Sequence, residues 1–140
     1  MLDFTIHHIS INVSNLANSL NFYYLLGFVE YHKFCSSDDR IKIIHLLKDK
    51  FILELFHYSV APTTKTIPNN IEHSSFVGID HFSLQTTKIE GAYKKLSEYV
   101  LPENNIQMGR TGIRFFFTND PDGNRIEIVE DKRNLNNIKQ

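Results

Sequence analysis

Cysteine is almost missing from this chain. Cys35 is the only one in 140 residues, so no intrachain disulfide can form and a small secreted fold stapled by disulfides is excluded. A reducing compartment suits such a chain, and a cytoplasmic location is expected. An excess of charge of one sign is also lacking: 15 basic and 16 acidic residues are mixed along the sequence for a formal charge of −1. There is no basic block of the kind that tracks phosphates, and nucleic acid is not an expected partner. No apolar run approaches the ~20 residues of a membrane span, and the first residues lack the basic start and apolar core of a signal peptide. A soluble protein with no membrane partner is expected. The length fits one domain of ordinary size, too short for two comfortable independent ones.

What is present is organised around Phe117 to Asp131, FTNDPDGNRIEIVED. Asp120-Pro121-Asp122-Gly123 combines an Asx-type initiator, a φ-locking proline and a φ-permissive glycine, so the backbone reverses there before a β run begins. In Arg125 to Val129, strand alternation sends Ile126 and Ile128 one way and Glu127 the other. A glutamate in mid-strand is either solvated decoration, the usual case, or a ligand or base lining a cavity.

The rest of the chain repeats this pattern. ILELF around Glu54 matches RIEIV around Glu127, and His8-Ile9-Ser10-Ile11-Asn12 matches His81-Phe82-Ser83-Leu84-Gln85. The offset from His8 to Glu54 is 46 residues, and that from His81 to Glu127 is also 46. This is an internal repeat. It extends through the following helices, because Leu16 and Ile89, which open their apolar stripes, each lie 8 residues after their histidine. The first helix starts at a Ser14-Asn15 cap and ends at Gly27 as its C′ residue; the second runs from about Thr87 to Val100. Strands are expected at about Phe28–Phe34, Ile41–Leu47 and Phe51–Phe56, and again at Ile106–Gly109, Ile113–Thr118 and Arg125–Val129. Asp49-Lys50 is a short hairpin connection. The chain is therefore read as a single domain, 1–140, of two βαβββ modules, about 4–57 and 79–131, joined by a linker, about 58–78, and ending in a polar tail, 132–140. The long linker, rich in Pro, Asn and Thr, is a plain connection first and a substrate lid second.

Each half thus offers one histidine from its first strand and one glutamate from its last. If the sheets curve together, His8, Glu54, His81 and Glu127 form an N2O2 metal site. Imidazole with carboxylate suits Zn, Ni, Co, Fe or Mn, and the lack of a thiolate argues against a structural zinc knot. One strand histidine or glutamate is more often packing or solvated than ligating; four at matched spacing favour a ligand set. His7, His32, His45, His57 and His73 fall outside the repeated positions and are read as structural or solvated, with His7 facing away from His8. Cys35 sits in a polar turn with no base nearby and is read as incidental. Tyr58, Arg110 and Arg114 are read equally as residues that orient a substrate and as packing or solvated residues, and none is taken as catalytic.

HISINV followed by the helix ending FYYLLGF, then FILELF, GIDHFSLQ and DPDGNRIEIVE, resembles the vicinal oxygen chelate (glyoxalase/bleomycin resistance/dioxygenase) superfamily over nearly the whole chain, and within it the glyoxalase I type. The resemblance implies an α+β fold in which paired βαβββ modules form a curved, partly open barrel. It also implies that His8, Glu54, His81 and Glu127 hold a divalent metal, Zn or Ni first, with Co, Mn or Fe as alternatives. Glu54 separates this set from the His, His, Glu triad of dioxygenases and thiol-transferases. The implied chemistry is that of a lactoylglutathione lyase-type lyase or isomerase: proton transfer next to a carbonyl, through an enediolate, on a hemithioacetal or hydroxycarbonyl metabolite. Glu127 or Glu54 serves as the catalytic base, with Glu127 favoured. The alternatives are a non-catalytic small-molecule-binding protein of antibiotic-resistance type and an extradiol dioxygenase-like enzyme. A C2 homodimer is expected. Asn12 stands where many bacterial glyoxalase I sequences carry an arginine, and a neutral amide cannot pair with a carboxylate as a guanidinium does, so the thiol is left open.

Overall fold

The computed structural model describes residues 4–60 and 77–133. Most of the expected linker 58–78, His73 and the last residues of the expected tail lie outside the described residues. The chain divides into two compact units, Met1–Pro68 and Asn69–Gln140.

In the first unit, β1 (His8–Asn12) leads into α1 (Leu16–Leu25), followed by β2 (Val29–Cys35), β3 (Ile41–Lys48) and β4 (Phe51–Tyr58). Asn15 caps the helix, its Oδ1 accepting from the Asn18 amide at 3.0 Å. The helix closes in a Schellman motif: the Gly27 amide donates to Tyr24 and the Phe28 amide to Tyr23. Gly27 makes this possible by adopting φ +87. Phe28 is thereby turned back, buried, against the Tyr23 ring, and its other edge meets Phe51 of β4. The sheet order is β1-β4-β3-β2, with β1 parallel to β4 and the other pairs antiparallel. Leu53 and Leu55 of β4 and Leu46 of β3 are fully buried, each worth roughly 1.5–3 kcal/mol against exposure. Alternation then places His8, Ser10, His45 and Glu54 on the opposite face.

The second unit repeats the order with β5 (Phe82–Gln85), α2 (Ile89–Ser97), β6 (Gln107–Met108), β7 (Arg114–Asn119) and β8 (Arg125–Glu130), paired as β5-β8-β7-β6. Ile89 and Leu96 of the helix are buried, as are Phe116, Ile126 and Ile128 of the sheet, and the Tyr93 ring meets Phe116 edge-on. Arg114 ties helix to sheet: it bonds Glu130 at 2.9 Å and also pairs with Glu90 in the first turn of α2. These two ion pairs give Arg114 a structural role, one of the readings that its sequence position left open. The helix is shorter than expected: its last turn tightens, the Glu98 amide donating to the Lys95 carbonyl and the Tyr99 amide to the Leu96 carbonyl, three residues back.

The βαβββ order of each half is as expected, but the curved, partly open barrel is not formed. The strands make two separate four-stranded sheets, and among the described residues neither curls nor closes into a barrel. Closure needs edge strands able to exchange a full ladder with a consistent stagger. Here β1 and β2 stand at opposite edges of one sheet, β2 carries a register shift between Glu30 and His32, and β6 has only 2 residues.

Candidate functional site

Strand register builds the first half of the site. In the parallel β1/β4 pair Ser10 lies opposite Glu54, so His8, two residues back on the same face, reaches it diagonally: His8 Nε2 is 3.7 Å from Glu54 Oε1. From the other side, His45 of β3 lies directly opposite Glu54, and its Nε2 is 2.7 Å from Oε2. Burial pushes the Glu54 carboxyl up, but hydrogen bonds from His45 and Ser10, with the neighbouring His8 and His45, outweigh it and hold the group below its usual range. A carboxylate only accepts, so Nε2 of His45 carries the proton. His7 precedes the strand, so alternation does not turn it away as expected; its Nδ1 lies 2.8 Å from His8 Nδ1. A neutral His8 offering Nε2 as a lone pair has its proton on Nδ1, and His7 Nδ1 then accepts it.

The second half starts at the expected turn. The Asp120 carboxylate accepts from the Asp122 amide (3.0 Å), the Asn124 amide (2.8 Å) and the Asn124 side chain (2.8 Å), while Gly123 takes φ +81. The chain so reversed enters β8 with Glu127 on the face opposite to Ile126 and Ile128. Ser83 of β5 lies opposite Glu127 and its hydroxyl donates to Oε2 at 2.5 Å; His81 Nε2 is 3.4 Å from the same oxygen. Behind the imidazole, His81 Nδ1 donates to Asp80 at 2.7 Å, so a neutral His81 offers Nε2 as its lone-pair nitrogen. Arg125 bonds the same Asp80 oxygen at 3.0 Å and Glu103 at 2.9 Å, with its guanidinium 3.5 Å over the Phe117 ring.

Of the four candidate residues, then, His8 meets Glu54 within one unit and His81 meets Glu127 within the other. Among the described residues no group of three or more His, Cys, Asp or Glu side chains is placed to hold a metal ion. Two donors each ~2.1 Å from a common ion stand ~3.0 Å apart at a right angle and ~3.4 Å apart at the tetrahedral angle; the His81–Glu127 separation of 3.4 Å fits such a pair, and the His8–Glu54 separation of 3.7 Å is wider and would have to close slightly. Three supporting residues were missed in the sequence: His45, Asp80 and His7. His45 had a signal, since a two-residue Asp49-Lys50 connection sets Lys48 opposite Phe51 and therefore His45 opposite Glu54.

Residues 5–128 match the profile of the Glyoxalase/Bleomycin resistance protein/Dioxygenase superfamily, a span that holds both histidine–glutamate pairs. The chain belongs to that superfamily. The chain is 28% identical over 128 residues to the uncharacterized protein YaeR of Escherichia coli, covering 89% of this chain and 95% of the relative. A crystal structure of a glyoxalase family protein from Enterococcus faecalis is also 28% identical, with a TM-score of 0.73 and coverage of 90% of this chain and 97% of that one. A glyoxalase I mutant from Zea mays shares the fold alone, at 16% identity and a TM-score of 0.72, covering 91% of this chain and 45% of that one. Among the described residues no helix is long and apolar enough to cross a membrane.

Proposed function

We propose that this superfamily member is a metal-dependent lyase or isomerase of glyoxalase I type, with His8, Glu54, His81 and Glu127 as its metal ligands. The observation that carries the reading is the matched pair of contacts: in each unit the histidine at the start of the first strand or just before it points its Nε2 at the glutamate of the last strand, at 3.7 and 3.4 Å. Zn or Ni suits two imidazoles and two carboxylates, and Co, Mn or Fe would also be held. When bound, such an ion supplies Lewis-acid stabilisation of negative charge on oxygen next to the reacting carbon.

The chain's own residues supply the rest. His81, fixed by Asp80 in the Nε2 lone-pair tautomer, and His8, backed by His7, hold the cation as neutral donors. Glu127 takes the proton from the hydroxyl-bearing carbon next to the substrate carbonyl and returns it to the former carbonyl carbon, the hydroxyl proton passing to the other substrate oxygen, while the Ser83 hydroxyl orients Oε2 of Glu127. Glu54 stays ionised as a fixed donor. A hemithioacetal or a hydroxycarbonyl metabolite is the substrate class, and Asn12, exposed at the end of β1, leaves the thiol of a hemithioacetal other than glutathione in play.

The test is the pair Glu54→Gln and Glu127→Gln, assayed for turnover of hemithioacetals made from methylglyoxal and a panel of thiols, with circular dichroism checking the fold. Both variants should fold, and both should lose turnover. Retained turnover in either would reject the assignment. Tight binding of a small molecule by metal-stripped protein, without turnover, would favour a non-catalytic binding protein instead.

A further inference from the structure

With Glu54 taken as a metal ligand, the assignment on which this inference rests, we propose that His45 is its positioning residue: it fixes one carboxylate oxygen so that the other is presented beside His8. The two oxygens are divided between partners, with Oε2 2.7 Å from His45 Nε2 and Oε1 3.7 Å from His8 Nε2. The division follows from register. His45 is the direct cross-strand neighbour of Glu54 on β3, Ser10 is its neighbour on β1, and the Ser10 hydroxyl also donates to the carboxylate. A side chain gripped from both neighbouring strands has lost most of its rotamer freedom before any ion arrives, so binding orders less. The His45 ring is itself steadied, standing 6.4 Å from the His8 ring in a stacked arrangement and 5.8 Å from His32 of β2.

The second unit shows what the sheet looks like without this device. At the matching register, opposite Glu127, stands Phe117, which has no side-chain hydrogen bond to give. Ser83 and His81 there approach the same oxygen of Glu127, Oε2. The two glutamates of the repeat are thus held differently. Glu54 is held at Oε2 from β3 while Oε1 is left facing His8, as suits a ligand that keeps its place. Glu127 is addressed at one oxygen, as suits a carboxylate that must swing to move a proton.

The experiment titrates metal-free protein with cobalt(II) alone, reading its visible absorption and measuring affinity by competition with a chelating indicator. His45→Phe installs the ring found at Phe117, and His45→Gln keeps an N–H donor near the same place. His45→Phe should bind cobalt about 10- to 100-fold more weakly, the usual cost of losing an outer-shell partner, with a changed spectrum. His45→Gln should recover most of the affinity and the wild-type spectrum. Equal affinity and spectrum in His45→Phe would overturn the proposal, and so would a His45→Gln as weak as His45→Phe, which would make the ring mere packing. A long-range proton–nitrogen NMR spectrum of the metal-free protein tests the contact separately: His45 should show its proton on Nε2, at a position that moves in Glu54→Gln. If that contact is present but the wild type takes up no cobalt, the metal reading fails and His45 has no ligand to position.

Discussion

Asp80→Asn removes the anion behind one metal-facing imidazole while leaving the shape of the side chain. The Asp80 carboxylate accepts from His81 Nδ1 at 2.7 Å and from Arg125 at 3.0 Å. The His81 hydrogen bond, against the effect of burial and helped by Arg125, holds its carboxyl below the usual range. Losing such a partner costs about 10- to 100-fold in metal affinity, or about 1.4–2.7 kcal/mol. Two features put the effect at the lower end. The Asp80 side chain is 38% exposed, so solvent screens it, and Arg125 already offsets part of its charge. A loss of about tenfold is expected. The fold should stand, because Arg125 keeps Glu103 and the face of Phe117. Competition titration of the metal-free protein with zinc measures the change, with thermal melting as control. Wild-type affinity in Asp80→Asn, alongside a lost site in Glu127→Ala, would refute the reasoning, since His81 would then need no outer partner.

Gly27→Ala should destabilise the protein by about 1–2 kcal/mol, because alanine must then hold the left-handed conformation, and its Tm should fall by several degrees. The Cβ added there approaches only the end of the Lys48 side chain, so a larger loss would point to rearrangement of the helix end. Asp120→Ala removes the acceptor of three hydrogen bonds and should cost about 1–3 kcal/mol in urea unfolding, with metal affinity falling as the turn before Glu127 loosens. The Cys35 thiol donates to Asp39 Oδ1 at 3.0 Å, and this bond pushes its pKa up. Less thiolate is then present at any given pH, so alkylation at about pH 8, near the ordinary thiol range, should be slower than for a free thiol, and Asp39→Ala should speed it and move its rate–pH midpoint down.

The sequence made legible whatever depends on local periodicity. Alternation around Glu54 and Glu127, the cap at Asn15, the stop at Gly27 and the turn at Asp120 each follow from one residue's stereochemistry, and each is found in place. The repeat of histidine and glutamate spacing assigned His8 and Glu54 to one half and His81 and Glu127 to the other; that each histidine lies beside the glutamate of its own half came from strand register. Sheet closure was not legible, because it depends on edge strands whose pairing no local pattern encodes: Ile106–Gly109 looked like a strand, yet only Gln107 and Met108 pair. His45 escapes a reading guided by the repeat because it breaks the repeat, facing Glu54 where Phe117 faces Glu127. His7 and Asp80 were missed for another reason. Each precedes its strand, where alternation no longer fixes direction and a side chain turns to whatever bonds it.

The most direct test of the central claim is elemental analysis of untagged protein purified without chelator, beside Glu54→Ala prepared the same way. About one equivalent of divalent metal per chain is expected in the wild type, and little or none in the variant. A wild type that carries no metal, and takes up neither nickel nor zinc when they are added, would contradict the account.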